Sequence, residues 1–121
     1  MRFLICDDDP VIRYLLEVVL GKRGGHDVIT VPDSQSVASV AAERRPDLIL
    51  LDYIMPGLSG AEVAAELASG EKTAGIPIVL ITGRSDVSDE IDFESLGVKC
   101  VIEKPFDTSS LSDRLIRLAS S

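Results

Sequence analysis

The sequence predicts an α/β fold built on one parallel sheet with helices on both faces. Three observations carry that prediction. Short apolar runs of strand length alternate with helix-patterned stretches five times. The connections between them are short and marked by Gly, Pro, Asp or Ser. The apolar runs, Leu48-Ile49-Leu50-Leu51 above all, lack the polar alternation of a half-exposed strand, so they read as strands buried on both faces. Strand–helix alternation of this kind implies right-handed crossovers and parallel pairing.

Phe3-Leu4-Ile5-Cys6 is the first strand, and it runs into Asp7-Asp8-Asp9. Asp9-Pro10 has the form of an N-cap followed by a first helical residue. Ile12, Leu15, Leu16 and Val19 keep helical spacing until Gly24-Gly25 stops the helix. Val28 to Val31 is the second strand. Asp33 or Ser34 can cap a second helix carrying Val37, Val40 and Ala41, which Pro46 ends. The third strand, Leu48 to Leu51, delivers Asp52. Pro56-Gly57 marks a turn, and a third helix starts near Ser59 and ends near Gly70. Ile76 to Ile81 is the fourth strand, followed by Thr82-Gly83. A fourth helix runs from about Asp86 to Leu96. Val98 to Ile102 is the fifth strand, closed by Lys104-Pro105, and Leu111, Leu115 and Leu118 line a fifth helix capped by Asp107.

The chain of 121 residues, 45% of them hydrophobic, has the size and the core-forming content of one domain. No apolar stretch is long enough to span a membrane, and the Met1-Arg2-Phe3-Leu4 start is unlike a secretory signal, so the expected location is cytoplasmic with no membrane partner. Cys6 and Cys100 make neither a disulfide framework nor a zinc site. A formal charge of -8 and few aromatics argue against direct nucleic-acid binding. The single His26 falls in a loop and reads as a solvated side chain.

Asp7 and Asp8 follow the first strand, Asp52 the third, Thr82 the fourth and Lys104 the fifth. Each residue alone reads as a turn or cap. Together they place polar groups at one edge of an otherwise apolar sheet, where open parallel sheets bind ligands. Three carboxylates in one crevice repel unless neutralised. A divalent cation with oxygen ligands answers that need, and Mg²⁺ takes one or two carboxylates with waters and phosphate oxygens. Three acids, one Mg²⁺ and the Lys104 ammonium sum to zero, a balance suited to receiving a phosphoryl group.

The acidic pair after Ile5-Cys6, the stretch Leu51-Asp52-Tyr53-Ile54-Met55-Pro56-Gly57 with Gly60, Thr82-Gly83 and Lys104-Pro105-Phe106 together resemble the receiver domain of two-component response regulators, in particular its single-domain, chemotaxis-type members. The resemblance covers essentially the whole chain, so one receiver domain over residues 1–121 is expected. It implies a flavodoxin-like three-layer sandwich with five helices and strand order 2-1-3-4-5, the order shared by flavodoxin and the chemotaxis regulators. It also implies a signalling domain rather than a turnover enzyme. Asp52 would accept a phosphoryl group from a histidine kinase or histidine phosphotransfer protein. Asp7, Asp8, Asp52 and the backbone carbonyl of Ile54 would hold Mg²⁺. Thr82 and Lys104 would bind the phosphoryl oxygens, the Lys104–Pro105 bond would be cis, and a downstream target or output domain would read the switched state. In that order the strands carrying Cys6 and Cys100 stand roughly 14 Å apart, too far for a disulfide.

Val101 departs from the family pattern, which places Tyr or Phe three residues before the lysine. Readout through backbone shifts after Thr82 and in the fourth helix is therefore expected, because a β-branched side chain cannot swing as an aromatic does. Asp7-Asp8-Asp9-Pro10-Val11 also fits the D-x-D-x-[TV] signature of haloacid-dehalogenase-like phosphatases, but that reading lacks a later acidic pair and gives Asp52 no role. A flavodoxin proper is disfavoured because acids after the first strand would repel a flavin phosphate.

Overall fold

The computed structural model describes residues 1–53, 57–83, 96–104 and 106–120. Its strands are β1 (Arg2–Cys6), β2 (Asp27–Val31), β3 (Leu48–Asp52), β4 (Ile78–Thr82) and β5 (Val98–Glu103). They form one sheet in the order β2-β1-β3-β4-β5, with every pairing parallel. The helices among the described residues are α1 (Pro10–Leu16), α2 (Val37–Arg44), α3 (Gly60–Ser69) and α4 (Thr108–Ser120). The helix expected from about Asp86 to Leu96 falls almost wholly outside the described residues.

Two cores explain the unbroken apolar runs. Leu4, Cys6, Ile49, Leu51, Ile78 and Leu80 face one way, packing with Val37, Ala41, Val63, Ala64 and Leu67 of α2 and α3. Phe3, Ile5, Leu48, Leu50, Val79 and Ile81 face the other way, with Leu16 of α1 and Leu111 and Leu115 of α4. Successive residues of a strand point to opposite faces, so a sheet covered on both sides needs apolar residues at every position. Leu48 through Leu51 are completely buried, and each contributes about 2 kcal/mol relative to an exposed side chain.

The helix starts follow local chemistry. The Asp9 carboxylate accepts the Val11 N–H at 2.9 Å, and Pro10 occupies the first helical position. Ser59 and Glu62 form a reciprocal capping box at α3, with Ser59 Oγ accepting the Glu62 N–H at 3.2 Å. Asp107 accepts the Ser109 N–H at 2.9 Å ahead of α4.

Several elements differ from expectation. α1 passes directly into a π-helical stretch, Glu17–Arg23, before ending around Gly25 at φ +72°. Asp33 caps a short 3-10 turn, Ser34–Ser36, that leads into α2. β4 begins two residues later than Ile76 and includes Thr82. In β5, Val98 stands opposite Ile78 but Cys100 stands opposite Val79, so Lys99 is an extra, exposed residue. That bulge turns every later β5 side chain to the opposite face. His26 is not simply solvated. Nδ1 lies 3.2 Å from the N-terminal amine, Nε2 lies 3.4 Å from Ser112 Oγ, and the ring meets Phe3 edge-on at 5.1 Å. β1, β2 and α4 bring those partners together from distant parts of the chain.

Cys6 and Cys100 are free, on β1 and β5 and in opposite cores, as the strand order requires. No helix among the described residues is long and apolar enough to cross a membrane.

Gly60 is where the fold tolerates no side chain. A Cβ there would lie 2.9 Å from both the Asp52 carbonyl oxygen and the Tyr53 Cα. Gly60→Ala is expected to force the exit of β3 away from α3 and to destabilise the fold by about 1–3 kcal/mol, the usual cost of overpacking. Denaturant unfolding checks this, and an unchanged midpoint would show that the contact is relieved without cost.

Candidate functional site

The pleat of the sheet selects which polar groups meet. Asp7 continues the Phe3–Ile5 parity beyond β1, and Asp52 continues the Leu48–Leu50 parity at the end of β3. Lys104 follows β5 and has the Cys100–Ile102 parity because of the Lys99 bulge. All three therefore fall on the side of the sheet that carries α1 and α4. Their groups are in contact: Lys104 Nζ lies 3.2 Å from Asp7 Oδ2 and 3.5 Å from Asp52 Oδ2. Asp7 is buried, Asp52 is 9% exposed, and Asp8 stands at the solvent side. Asp7, Asp8 and Asp52 each offer a carboxylate oxygen within 4.8 Å of the others.

Local bonds hold this arrangement. Asp7 Oδ1 accepts the Asp9 N–H at 2.9 Å, and its backbone carbonyl accepts from Arg13 Nη1 at 2.6 Å. Thr82 is buried at the end of β4, and its carbonyl accepts the Lys104 N–H at 2.7 Å. The Tyr53 N–H donates to Ile81 O and the Gly60 N–H to Tyr53 O, both at 2.8 Å. Ser34 Oγ accepts the Leu58 N–H at 2.9 Å from the far side of the same connection.

The charges act on one another through a partly dry medium. Burial alone would lower the Lys104 ammonium, but the Asp7 and Asp52 carboxylates outweigh it and hold the group above its ordinary value. Burial pushes the Cys6 thiol up to about 12, and the carboxylates of Asp33, Asp7 and Asp52 add to that effect against Arg13. Cys6 is consequently an inert core thiol beneath the acids rather than a nucleophile.

Of the residues expected at the site, Asp7, Asp8, Asp52 and Lys104 form one cluster, and Thr82 joins it through the backbone. The Ile54 carbonyl and the Lys104–Pro105 bond lie outside the described residues. Val101 is half-buried against the α2/α3 core. Arg13 and Ser34 are additions to the site; from the sequence Ser34 reads only as an alternative helix cap, and Arg13 has no expected role. Arg13 lies one helical turn beyond the Asp9 cap, which is a faint signal. Ser34 acts across 24 residues of sequence and leaves none. Beside Lys104, Ile12, Leu15 and Phe106 line an apolar recess of ≈ 300 Å³, and Val11 and Tyr14 are exposed on α1.

Comparison with known proteins agrees with this geometry. Residues 3–116 match the family described as the response regulator receiver domain. The chain is 31% identical over 110 residues to the protein PilH of Pseudomonas aeruginosa, covering 91% of this chain and 90% of that protein. It is 37% identical over 112 residues to the phosphate regulon transcriptional regulatory protein PhoB of the same organism, covering 93% of this chain but 48% of that relative. It thus spans about half the length of several curated relatives it matches. Among solved structures, it resembles the receiver domain of a sensor histidine kinase from Pseudomonas aeruginosa, which has a magnesium ion coordinated in its active-site cleft. That likeness has TM-score 0.87 and 28% identity, covering 99% of this chain and 98% of the other. A chemotaxis response regulator of Vibrio cholerae matches with TM-score 0.86 and 25% identity, covering 97% of each chain. The fold and the acidic edge define a phosphorelay signalling domain. The chain belongs to the response regulator receiver domain family of two-component systems.

The Lys104 ion pairs give a pH prediction for metal-free protein. Because the folded-state value of Lys104 is raised, its stabilisation is fully present below its ordinary 10.5 and is lost as pH rises through the raised value. In chelator, wild type should exceed Lys104→Met in melting temperature at neutral pH, and the gap should close at strongly alkaline pH. A gap independent of pH would show that the lysine acts by packing alone.

Proposed function

We propose that Asp52 accepts a phosphoryl group from a phosphohistidine on a histidine kinase or phosphotransfer protein, and that the resulting change switches binding of a downstream target or output domain. The observation that carries this is the cluster of Asp7, Asp8 and Asp52 around one lysine. Three carboxylates against one ammonium leave a charge of minus two, which fits one divalent cation held by Asp7, Asp8 and Asp52, with the Ile54 carbonyl implied by the family resemblance. When bound, Mg²⁺ would supply positive charge to the phosphoryl oxygens.

The rest is work for this chain's own groups. The Asp52 carboxylate attacks phosphorus, the P–N bond to the donor histidine breaks, and an acyl phosphate forms. Lys104 already lies within reach of Asp52 and pairs with the transferred phosphoryl oxygens. The Thr82 hydroxyl donates to them as well. Asp9 is committed to capping α1, which leaves Asp7 and Asp8 as the strand-one acids for the cation. The exposed apolar residues Val11 and Tyr14 lie on α1, the helix that lends Ile12 and Leu15 to the recess beside Lys104, and supply a surface for a protein donor. Readout proceeds without an aromatic rotamer on β5, since Val101 occupies that place. The domain works as a signalling switch in the cytoplasm, and a receiver domain accounts for the whole of residues 1–121.

Incubation with acetyl phosphate should add one base- and hydroxylamine-labile phosphoryl group per chain. Asp52→Asn should abolish the label while leaving the melt unchanged or slightly raised, because one repelling charge is gone. Tyr14→Ala should slow labelling by a phosphorylated kinase and leave labelling by acetyl phosphate unchanged. Label that survives Asp52→Asn and disappears with Asp7→Asn would favour a phosphatase-type nucleophile instead.

Mg²⁺ should raise the melting temperature, since it relieves carboxylate repulsion in the native state only. Asp8→Asn should weaken that rise. A melt unmoved across the millimolar range would count against a metal at these acids.

A further inference from the structure

We propose that Ser34 is a positioning residue for the phosphorylation site, acting through the connection between β3 and α3. Ser34 is completely buried in the turn between β2 and α2, and its Oγ accepts the Leu58 N–H at 2.9 Å. Gln35 beside it presses its side-chain amide so close to Gly57 that a Cβ there would collide with it. The two residues therefore bracket Gly57 and Leu58, at the end of the stretch that leaves Asp52.

The opposite end of that stretch is fixed separately. The Tyr53 N–H is held by Ile81 O, and the Tyr53 carbonyl accepts from Gly60. Gly60 closes against the Asp52 carbonyl with no room for a side chain. Among the described residues, the Ser34 bond adds a third tie to those at the Asp52 end of this connection and at the start of α3.

The physical role follows from order. Filling the acidic edge with a cation and a phosphoryl group requires the residues after Asp52 to be held in one arrangement. A buried hydroxyl accepting a backbone N–H does this at one fixed point, and its loss leaves a half-buried donor without that acceptor. Groups that orient ligand-bearing segments typically change metal affinity more than they change the fold. This inference rests on the receiver reading above.

The test compares wild type, Ser34→Ala and Ser34→Gly with Ala41→Gly, which weakens α2 but is no partner in the Ser34–Leu58 hydrogen bond. Three quantities are measured: the Mg²⁺ half-saturation, the rate of labelling by acetyl phosphate at saturating Mg²⁺, and hydrogen exchange of the Leu58 amide. Both Ser34 variants should raise the half-saturation roughly two- to tenfold, the equivalent of about one hydrogen bond. They should speed Leu58 exchange and lower the saturated rate by less than they raise the half-saturation. Ala41→Gly should lower the melt and leave the half-saturation in place. Ser34 variants within twofold of wild type, or an equal shift in Ala41→Gly, would overturn the proposal. Absence of any label on wild type would instead overturn the receiver mechanism, while the Mg²⁺ and Leu58 measurements would still decide the role of Ser34.

Discussion

The ammonium of Lys104 between the carboxylates of Asp7 and Asp52 is the interaction on which the site depends. It joins the ends of the first, third and fifth strands, which sit at separate positions in the sheet. Partial burial makes an unpaired carboxylate there expensive, and the lysine offsets part of that cost. The pairing is incomplete, because one ammonium cannot neutralise three acids. The remaining negative charge is what the proposed divalent cation would balance.

That charge cluster can form only because the sheet beneath it is apolar on both faces. Every position along β3 up to Leu51 is committed to one of two cores, so the strand can present a charged group only where it runs out. The same holds for β1 from Phe3 onward and for β4 up to Ile81. The pleat then sorts the exits, sending Asp7 and Asp52 to the side that carries α1 and α4. Lys104 would fall on the other side but for the extra residue at Lys99. A bulge near the far end of β5 thus decides which group the lysine meets.

Backbone support around Asp52 is as specific as the charge. Gly60 closes directly on the Asp52 carbonyl, and the hydroxyl of Ser34 reaches across from another crossover to hold Leu58. Arg13 does the corresponding work for Asp7 by binding its carbonyl. These groups carry none of the proposed chemistry, yet they define where the chemistry stands. Val101 packs half-buried on the α2/α3 core, where the family pattern has an aromatic.

The sequence by itself determined the strand and helix succession, the parallel sheet and the set of acids, threonine and lysine at one edge. It could do so because burial on two faces demands unbroken apolar runs, and because caps such as Asp9-Pro10 act locally. The Ser59/Glu62 capping box is local too, and its Ser-x-x-Glu spacing marks the start of α3. Tertiary structure alone decided the rest. The Lys99 bulge depends on register against β4, which a short apolar run does not encode. The π-helical continuation of α1, which packs beside β2 and α4, has no local mark in the residue pattern. His26 reads as solvated in the sequence because its partners, the N-terminal amine, Phe3 and Ser112, converge only after the sheet forms. Ser34 and Leu58 meet for the same reason: a hydrogen bond between two crossovers depends on how both pack on the sheet, and no local pattern of residues records it.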